Sequence, residues 1–90
     1  MSAAKFPLGR LVATPNALQA IPNDEMLVAL RQHAIGDWGQ MTVHDWEANE
    51  QALTEGSRLF SVYRTRTGLK FWIITEADRA STTVLLPQDY

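Results

Sequence analysis

The chain has 90 residues and a mass of 10.1 kDa, room for one hydrophobic core and no second, so residues 1–90 are read as a single domain. Eight Lys and Arg against ten Asp and Glu leave a net charge of −2, and 46% apolar with 20% charged residues is ordinary globular composition, which argues against disorder and against a polybasic nucleic-acid tail. The absence of cysteine excludes a disulfide framework, a thiolate zinc site and a cysteine nucleophile. No apolar run approaches the roughly 20 residues of a bilayer span, and the opening Met1-Ser2-Ala3-Ala4-Lys5 lacks the apolar stretch of a secretory signal, so the expectation is a cytoplasmic protein with no membrane segment.

In chain order, residues 1–8 show no period and are expected to be loosely held. Residues 10–13 read as a short strand. Thr14-Pro15 is an N-cap followed by proline at the first helical position, where the missing N–H costs nothing, and predicts a short helix over 15–21. Pro22 stops it. Asn23 then reads as the cap of a second helix with Asp24 and Glu25 in its first turn, an apolar stripe of Met26, Leu27, Leu30 and Ala34, and Gly36 as its stop. His33 lies close to that stripe. Thr42 and Asp45 form a capping box for a third helix over 43–55, with Val43, Trp46, Asn49 and Leu53 on its inward face and Gly56 at its end. Asn49 is the polar exception in this stripe, and burial obliges it to find a backbone partner, for which the 36–39 turn is the expected one.

The last third changes character. Residues 58–67, 69–75 and 82–86 are rich in β-branched and aromatic residues separated by turn signals and predict a three-stranded antiparallel meander, so the fold class is α+β, with helices packed on the sheet. Reading Thr67-Gly68 as a two-residue turn pairs Arg64 with Phe71, Tyr63 with Trp72 and Val62 with Ile73. In the second hairpin Thr75 opposes Thr82 and Ile73 opposes Val84. This phasing assigns Phe60, Val62, Leu69, Phe71, Ile73, Val84 and Leu86 to the core. It leaves Leu59, Ser61, Tyr63, Thr65, Lys70, Trp72, Ile74, Glu76, Thr83 and Leu85 on the other face.

That outer face carries the candidate binding residues Tyr63, Lys70 and Trp72, joined by Arg64 of the same basic hairpin. Aromatic faces flanked by cations stack on bases or on partner side chains. The ordinary alternative is that the N-terminal strand, the C-terminal tail or a second copy covers them. Glu76 and Arg79, with Asp78 and Ser81, are weak catalytic candidates for acid–base work on a phosphodiester; a turn stapled by Asp78 or Ser81 with a Glu76–Arg79 rim pair is the plainer reading. His33, His44, Asp37 and Asp45 show no metal-ligand spacing, and no phosphate-binding glycine loop or dinucleotide fingerprint occurs, so neither a metal nor a cofactor is expected.

Gly36-Asp37-Trp38-Gly39, Asp45, Asn49, Ala52-Leu53, Gly56, Arg58, Ser61 and Tyr63 precede Trp72-Ile73-Ile74-Thr75-Glu76, Asp78-Arg79, Thr82-Thr83 and Leu85-Leu86-Pro87. In this pattern the chain resembles small uncharacterised bacterial proteins described as plasmid-related, over about residues 9–90. The resemblance implies a mobile-element context and carries no substrate, cofactor or catalytic residue. A fainter, architectural likeness is to the small ribonuclease fold of bacterial toxins, whose cations and base would fall among Arg58, Arg64, Glu76, Arg79 and Tyr90. The expectation is a non-enzymatic protein-interaction module that engages a protein partner or forms a homodimer through the outer sheet face or an edge strand. The alternative is a metal-independent RNA-binding or RNA-cleaving domain, which the net negative charge disfavours.

Overall fold

Three helices precede the body of a mixed sheet in the computed structural model, which describes residues 3–90. Strand β1 (Arg10–Ala13) leads into helices α1 (Pro15–Ala20), α2 (Asn23–Ala34) and α3 (Val43–Glu55), and these into β2 (Leu59–Arg64), β3 (Lys70–Thr75) and β4 (Ser81–Leu85), with a final 3-10 turn at Pro87–Asp89. The α+β class is as expected. The meander is joined by a fourth strand: the sheet order is β1-β4-β3-β2, and β1 runs parallel to β4.

The helix boundaries follow from local chemistry. Thr14 accepts the Ala17 N–H at 3.2 Å and Thr42 the Asp45 N–H at 3.1 Å, each satisfying an amide that the helix itself leaves free. Gly56, at φ +76°, ends α3 in the left-handed region. The α2 cap differs from expectation: Asn23 is already helical and Pro22 precedes it without a side-chain bond. The buried stripe of α2 is also shifted, to Met26, Ala29, Leu30, His33 and Ala34, with Leu27 turned outward. In α3 the buried residues are Asn49 and Ala52, and Val43 faces solvent.

The phase of β2 is the main correction. Residues opposite each other in β2 and β3 run from Leu59 with Thr75 to Arg64 with Lys70, so Tyr63 faces Phe71, not Trp72. The turn is one residue longer than a Thr67-Gly68 reading allows. The Thr65 N–H donates to the Leu69 carbonyl at 2.9 Å, the Gly68 N–H donates to the Thr65 carbonyl at 2.9 Å, and Gly68 has φ +93°. This is a three-residue hairpin loop with a left-handed glycine at its end. Because side chains alternate with period two, the one-residue slip exchanges the faces of the whole strand. Leu59, Ser61 and Tyr63 point to the helices, and Phe60 and Val62 point away. The second hairpin has the expected register, with Ile73 opposite Val84 and Thr75 opposite Thr82.

Two clusters fill the helix side of the sheet. Ala17, Ile21, Met26, Ala29 and Leu30 pack on Tyr63, Phe71, Ile73, Val84 and Leu86, and Phe6, Trp38 and Ala52 pack on Leu59. The lead-in segment is therefore tied down where it is described: Phe6 is buried, the Lys5 N–H donates to the Ala34 carbonyl, and the Leu8 carbonyl accepts from Thr82. For Met1 and Ser2 the expectation of looseness lies outside the described residues.

Candidate interaction surface

The face of the sheet turned away from the helices carries Phe60 and Val62 from β2, Trp72 and Ile74 from β3, Thr83 and Leu85 from β4, and Val12 from β1; Val62, Ile74 and Leu85 are buried there, Phe60, Trp72 and Thr83 are half-buried, and Val12 is exposed. Its aromatic rings form a chain. Phe60 meets Trp72 edge-to-face at 5.0 Å between centroids, and Trp72 meets Tyr90 edge-to-face at 5.7 Å, a geometry that sets the positive ring edge against the negative ring face. The C-terminal turn puts Tyr90 there. Pro87 fixes the entry, and the Asp89 carboxylate accepts from the Leu86 N–H, the Thr14 hydroxyl and the Asn16 amide. These bonds, that from Thr14 foremost, hold the Asp89 carboxyl below its usual range. At the far end of the chain the Arg58 guanidinium lies 5.7 Å from the Tyr90 ring centroid, donates to its hydroxyl at 3.1 Å and pairs with Glu76 at 3.5 Å.

Charge is divided between the two sides of the molecule. The four strands contain Arg10, Arg64 and Lys70 and no acid, whereas α2 and α3 contain Asp24, Glu25, Asp45, Glu47, Glu50 and Glu55 against Arg31 alone. The net negative charge is thus a property of the helical side. The strands themselves are aromatic and carry only cations, with Glu76 and Asp89 at the margins of the sheet.

Of the residues proposed from sequence, Trp72, Lys70 and Arg64 share this outer face, with Arg64 directly across from Lys70. Arg64 is oriented by Gln40, whose side-chain oxygen accepts from Nε at 2.9 Å, and by the Gly68 carbonyl at 3.1 Å. Tyr63 does not belong. It is 6% exposed on the helix side and donates to the Asp37 carbonyl, and burial pushes its phenol pKa above the ordinary value. Phe60, placed in the core by the wrong phase, takes its position beside Trp72. An outward Arg64 was the signal available in the sequence, since the other phase sends that guanidinium into the core.

Glu76 and Arg79 are not brought together as a catalytic pair. Glu76 pairs with Arg58. The Arg79 guanidinium donates to the carbonyls of Ser57 at 2.6 Å, Ala52 at 3.2 Å and Glu76 at 3.1 Å, so it closes the C-terminal end of α3, where free carbonyls attract a cation. Arg79 itself sits at φ 61°, and Asp78 staples the turn by accepting the Ala80 N–H at 2.9 Å.

Behind the sheet lies a polar chain that sequence reasoning missed. His33, fully buried, bonds Ser61 at 2.5 Å through Nδ1 and Thr75 at 2.8 Å through Nε2; Thr75 continues to Thr82 at 2.7 Å, and Thr82 donates to the Leu8 carbonyl at 2.7 Å. The carbonyl fixes every proton. Thr82 spends its hydrogen on Leu8, so Thr75 donates to Thr82, His33 Nε2–H donates to Thr75, and the Ser61 hydroxyl donates to Nδ1. The imidazole is neutral: burial first, and the nearby Arg79 charge second, lower its pKa to about 4. Phe6 and Trp38 close over the ring edge-to-face. The Ser61–His33 pair resembles a nucleophile and its base, but Ser61 and His33 are both 0% exposed, so the group is a structural latch. Among the described residues no buried side-chain nitrogen or oxygen lacks a partner, and no three His, Asp or Glu side chains converge to hold a metal ion.

A cleft of about 480 Å³ separates α2 from the first hairpin, with Glu25, Gln32, Gln40, Tyr63, Arg66 and Phe71 among its walls. Its polar groups are spent on each other: Arg66 bonds Asp24 at 2.7 Å and its N–H donates to Glu25 at 2.7 Å, and Gln32 bonds Asp37. Comparison with protein-family models, with curated proteins and with solved structures finds no match for this chain.

Proposed function

We propose that this chain is a non-enzymatic protein-interaction module whose outer sheet face receives an acidic segment of a partner protein, in keeping with the mobile-element context of the family it resembles. The observation that carries this reading is the Phe60–Trp72–Tyr90 chain of rings between Arg58 at one end and Arg64 with Lys70 at the other. Aromatic and Arg side chains supply most of the energy at protein interfaces, and flanking cations steer an acidic partner and suppress basic ones. A peptide-display selection tests it. The expected winners are acidic segments with one aromatic or large apolar anchor, whose binding is lost in Trp72→Ala and falls about tenfold or more in Lys70→Glu. Selection without enrichment, or binding that survives Trp72→Ala, contradicts the proposal.

One observation favours a second reading, RNA binding: the cations gather on the aromatic side, so the overall negative charge does not speak for that face. Retardation of single-stranded RNA at low salt, lost in Trp72→Ala, decides for it. Cleavage draws less support, because Glu76 and Arg79 are both committed within the fold.

A further inference from the structure

The two edges of the sheet end differently, and the β1 edge is open. The Arg10 and Thr14 N–H groups donate to the Ala80 and Val84 carbonyls of the β4 segment at 2.9 and 3.0 Å, so even-numbered residues of β1 face β4 and the main-chain groups of Leu11 and Ala13 face outward. Among the described residues nothing accepts from those two N–H groups. Leu11 is 55% and Val12 40% exposed along the same edge. We infer that β1 pairs antiparallel with β1 of a second copy across a two-fold axis at Val12, joining two sheets into one of eight strands.

The register follows from the bonding pattern. Outward-facing residues must meet outward-facing residues, so Leu11 lies opposite Ala13 of the second copy, Val12 opposite Val12, and Arg10 opposite Thr14. The contact makes about four main-chain hydrogen bonds and covers Leu11 and Val12. Charge complementarity selects a second copy as the occupant. Among the described residues Arg10 has no ion-pair partner, and Thr14 holds the Asp89 carboxylate at 2.6 Å. Arg10 and Thr14 lie on the same face of their strands, so the register delivers each Arg10 guanidinium to the Asp89 carboxylate of the other chain. The two-fold makes this pair twice. Arg10 at one end of β1 and the acid at the other are what an antiparallel self-pairing requires and what a parallel one wastes.

Trp72 is on β3, two strands from the β1 edge, and the dimer contact does not use its ring, so this inference and the proposed function fail independently. The absence of native cysteine makes the test direct. Val12→Cys places two thiols face to face on the axis at a non-hydrogen-bonded pair, where Cβ atoms approach to about 5 Å. The expected result is a disulfide-linked dimer under mild oxidation, formed at least tenfold faster than by Val28→Cys on the exposed side of α2. Wild-type protein is expected to sediment at twice the chain mass at high concentration. Leu11→Pro is expected to sediment as a folded monomer, since the proline removes an outward N–H and leaves the β4 ladder intact. Arg10→Glu should weaken the dimer about tenfold, and Trp72→Ala should leave it unchanged. Equal cross-linking rates at positions 12 and 28, or a wild type that stays monomeric at the highest soluble concentration, overturns the inference.

Discussion

The β2 edge and the β1 edge belong to one sheet and are finished in opposite ways. On β2 the outward main-chain groups of Phe60 and Val62 have partners. The Asn49 side chain donates to the Phe60 carbonyl at 2.5 Å and accepts the Phe60 N–H at 3.1 Å; two residues on, the Val62 N–H donates to the Trp38 carbonyl at 3.1 Å and the Val62 carbonyl accepts the Gln40 N–H at 2.7 Å. Asn49, expected to serve the 36–39 turn, thus serves the strand beside it. An amide side chain copies a peptide group, offering one donor and one acceptor at the right spacing, so it ends the ladder without adding a strand. On β1 the same kind of groups face outward beside Leu11 and Val12. An unsealed edge invites pairing, and a sealed one prevents it. The difference therefore gives the molecule one direction in which its sheet can grow.

The seal on β2 breaks most severely at Gly39. A Cβ there would lie 2.0 Å from the Val62 carbonyl oxygen and 2.7 Å from the Tyr63 ring, at φ +81°. Gly39→Ala is expected to cost about 4 kcal/mol, from left-handed strain and the forced retreat of the 38–40 segment, read as a lower urea midpoint and as new aggregation through β2. A change under about 1 kcal/mol would show that the segment is not the seal.

Acid attacks the same side through His33. The unfolded chain takes up this proton near its ordinary pKa of 6.5 and the folded chain only near 4, so stability is full above pH 6.5 and is lost as pH falls through this window, by about 3 kcal/mol at its foot. Imidazole nitrogen shifts check this. They should stay those of the neutral Nε2–H tautomer down to about pH 5, and a titration centred near 6.5 would contradict the buried chain. Asn49→Leu is expected to cost about 2 kcal/mol, because the Phe60 amide and carbonyl lose both partners; equilibrium unfolding measures it, and an unchanged midpoint refutes the assignment. Leu11→Pro, on the open edge, should cost under about 0.5 kcal/mol in the isolated monomer. A loss of 2 kcal/mol or more would mean that β1 relies on that N–H after all.

Local signals made the helices legible. Thr14-Pro15, Thr42 with Asp45, and Gly56 each act within one turn of chain, and α3 runs from Val43 to Glu55 as its caps require. The phase of β2 was less legible, because Leu-Phe-Ser-Val-Tyr-Arg offers apolar residues to both faces and only Arg64 at its end favours one of them. The hairpin loop chooses, and a single left-handed glycine suits both a two-residue and a three-residue turn. Trp72 and Lys70 survived this error because β3 and β4 kept their phase; Tyr63 did not. The His33 chain was hidden for another reason. Met26, Ala29, Leu30 and His33 do follow helical spacing, but Ser61, Thr75 and Thr82 lie 28 to 49 residues further on, and only the folded sheet brings them to the ring.

Amide hydrogen exchange, followed residue by residue at low and high protein concentration, compares the two edges directly. Phe60 and Val62 are expected to be protected at both concentrations, while Leu11 and Ala13 exchange freely in dilute solution and slow by about tenfold or more as the chains pair. Protection of Leu11 and Ala13 that does not depend on concentration, or rapid exchange at Phe60, would contradict it.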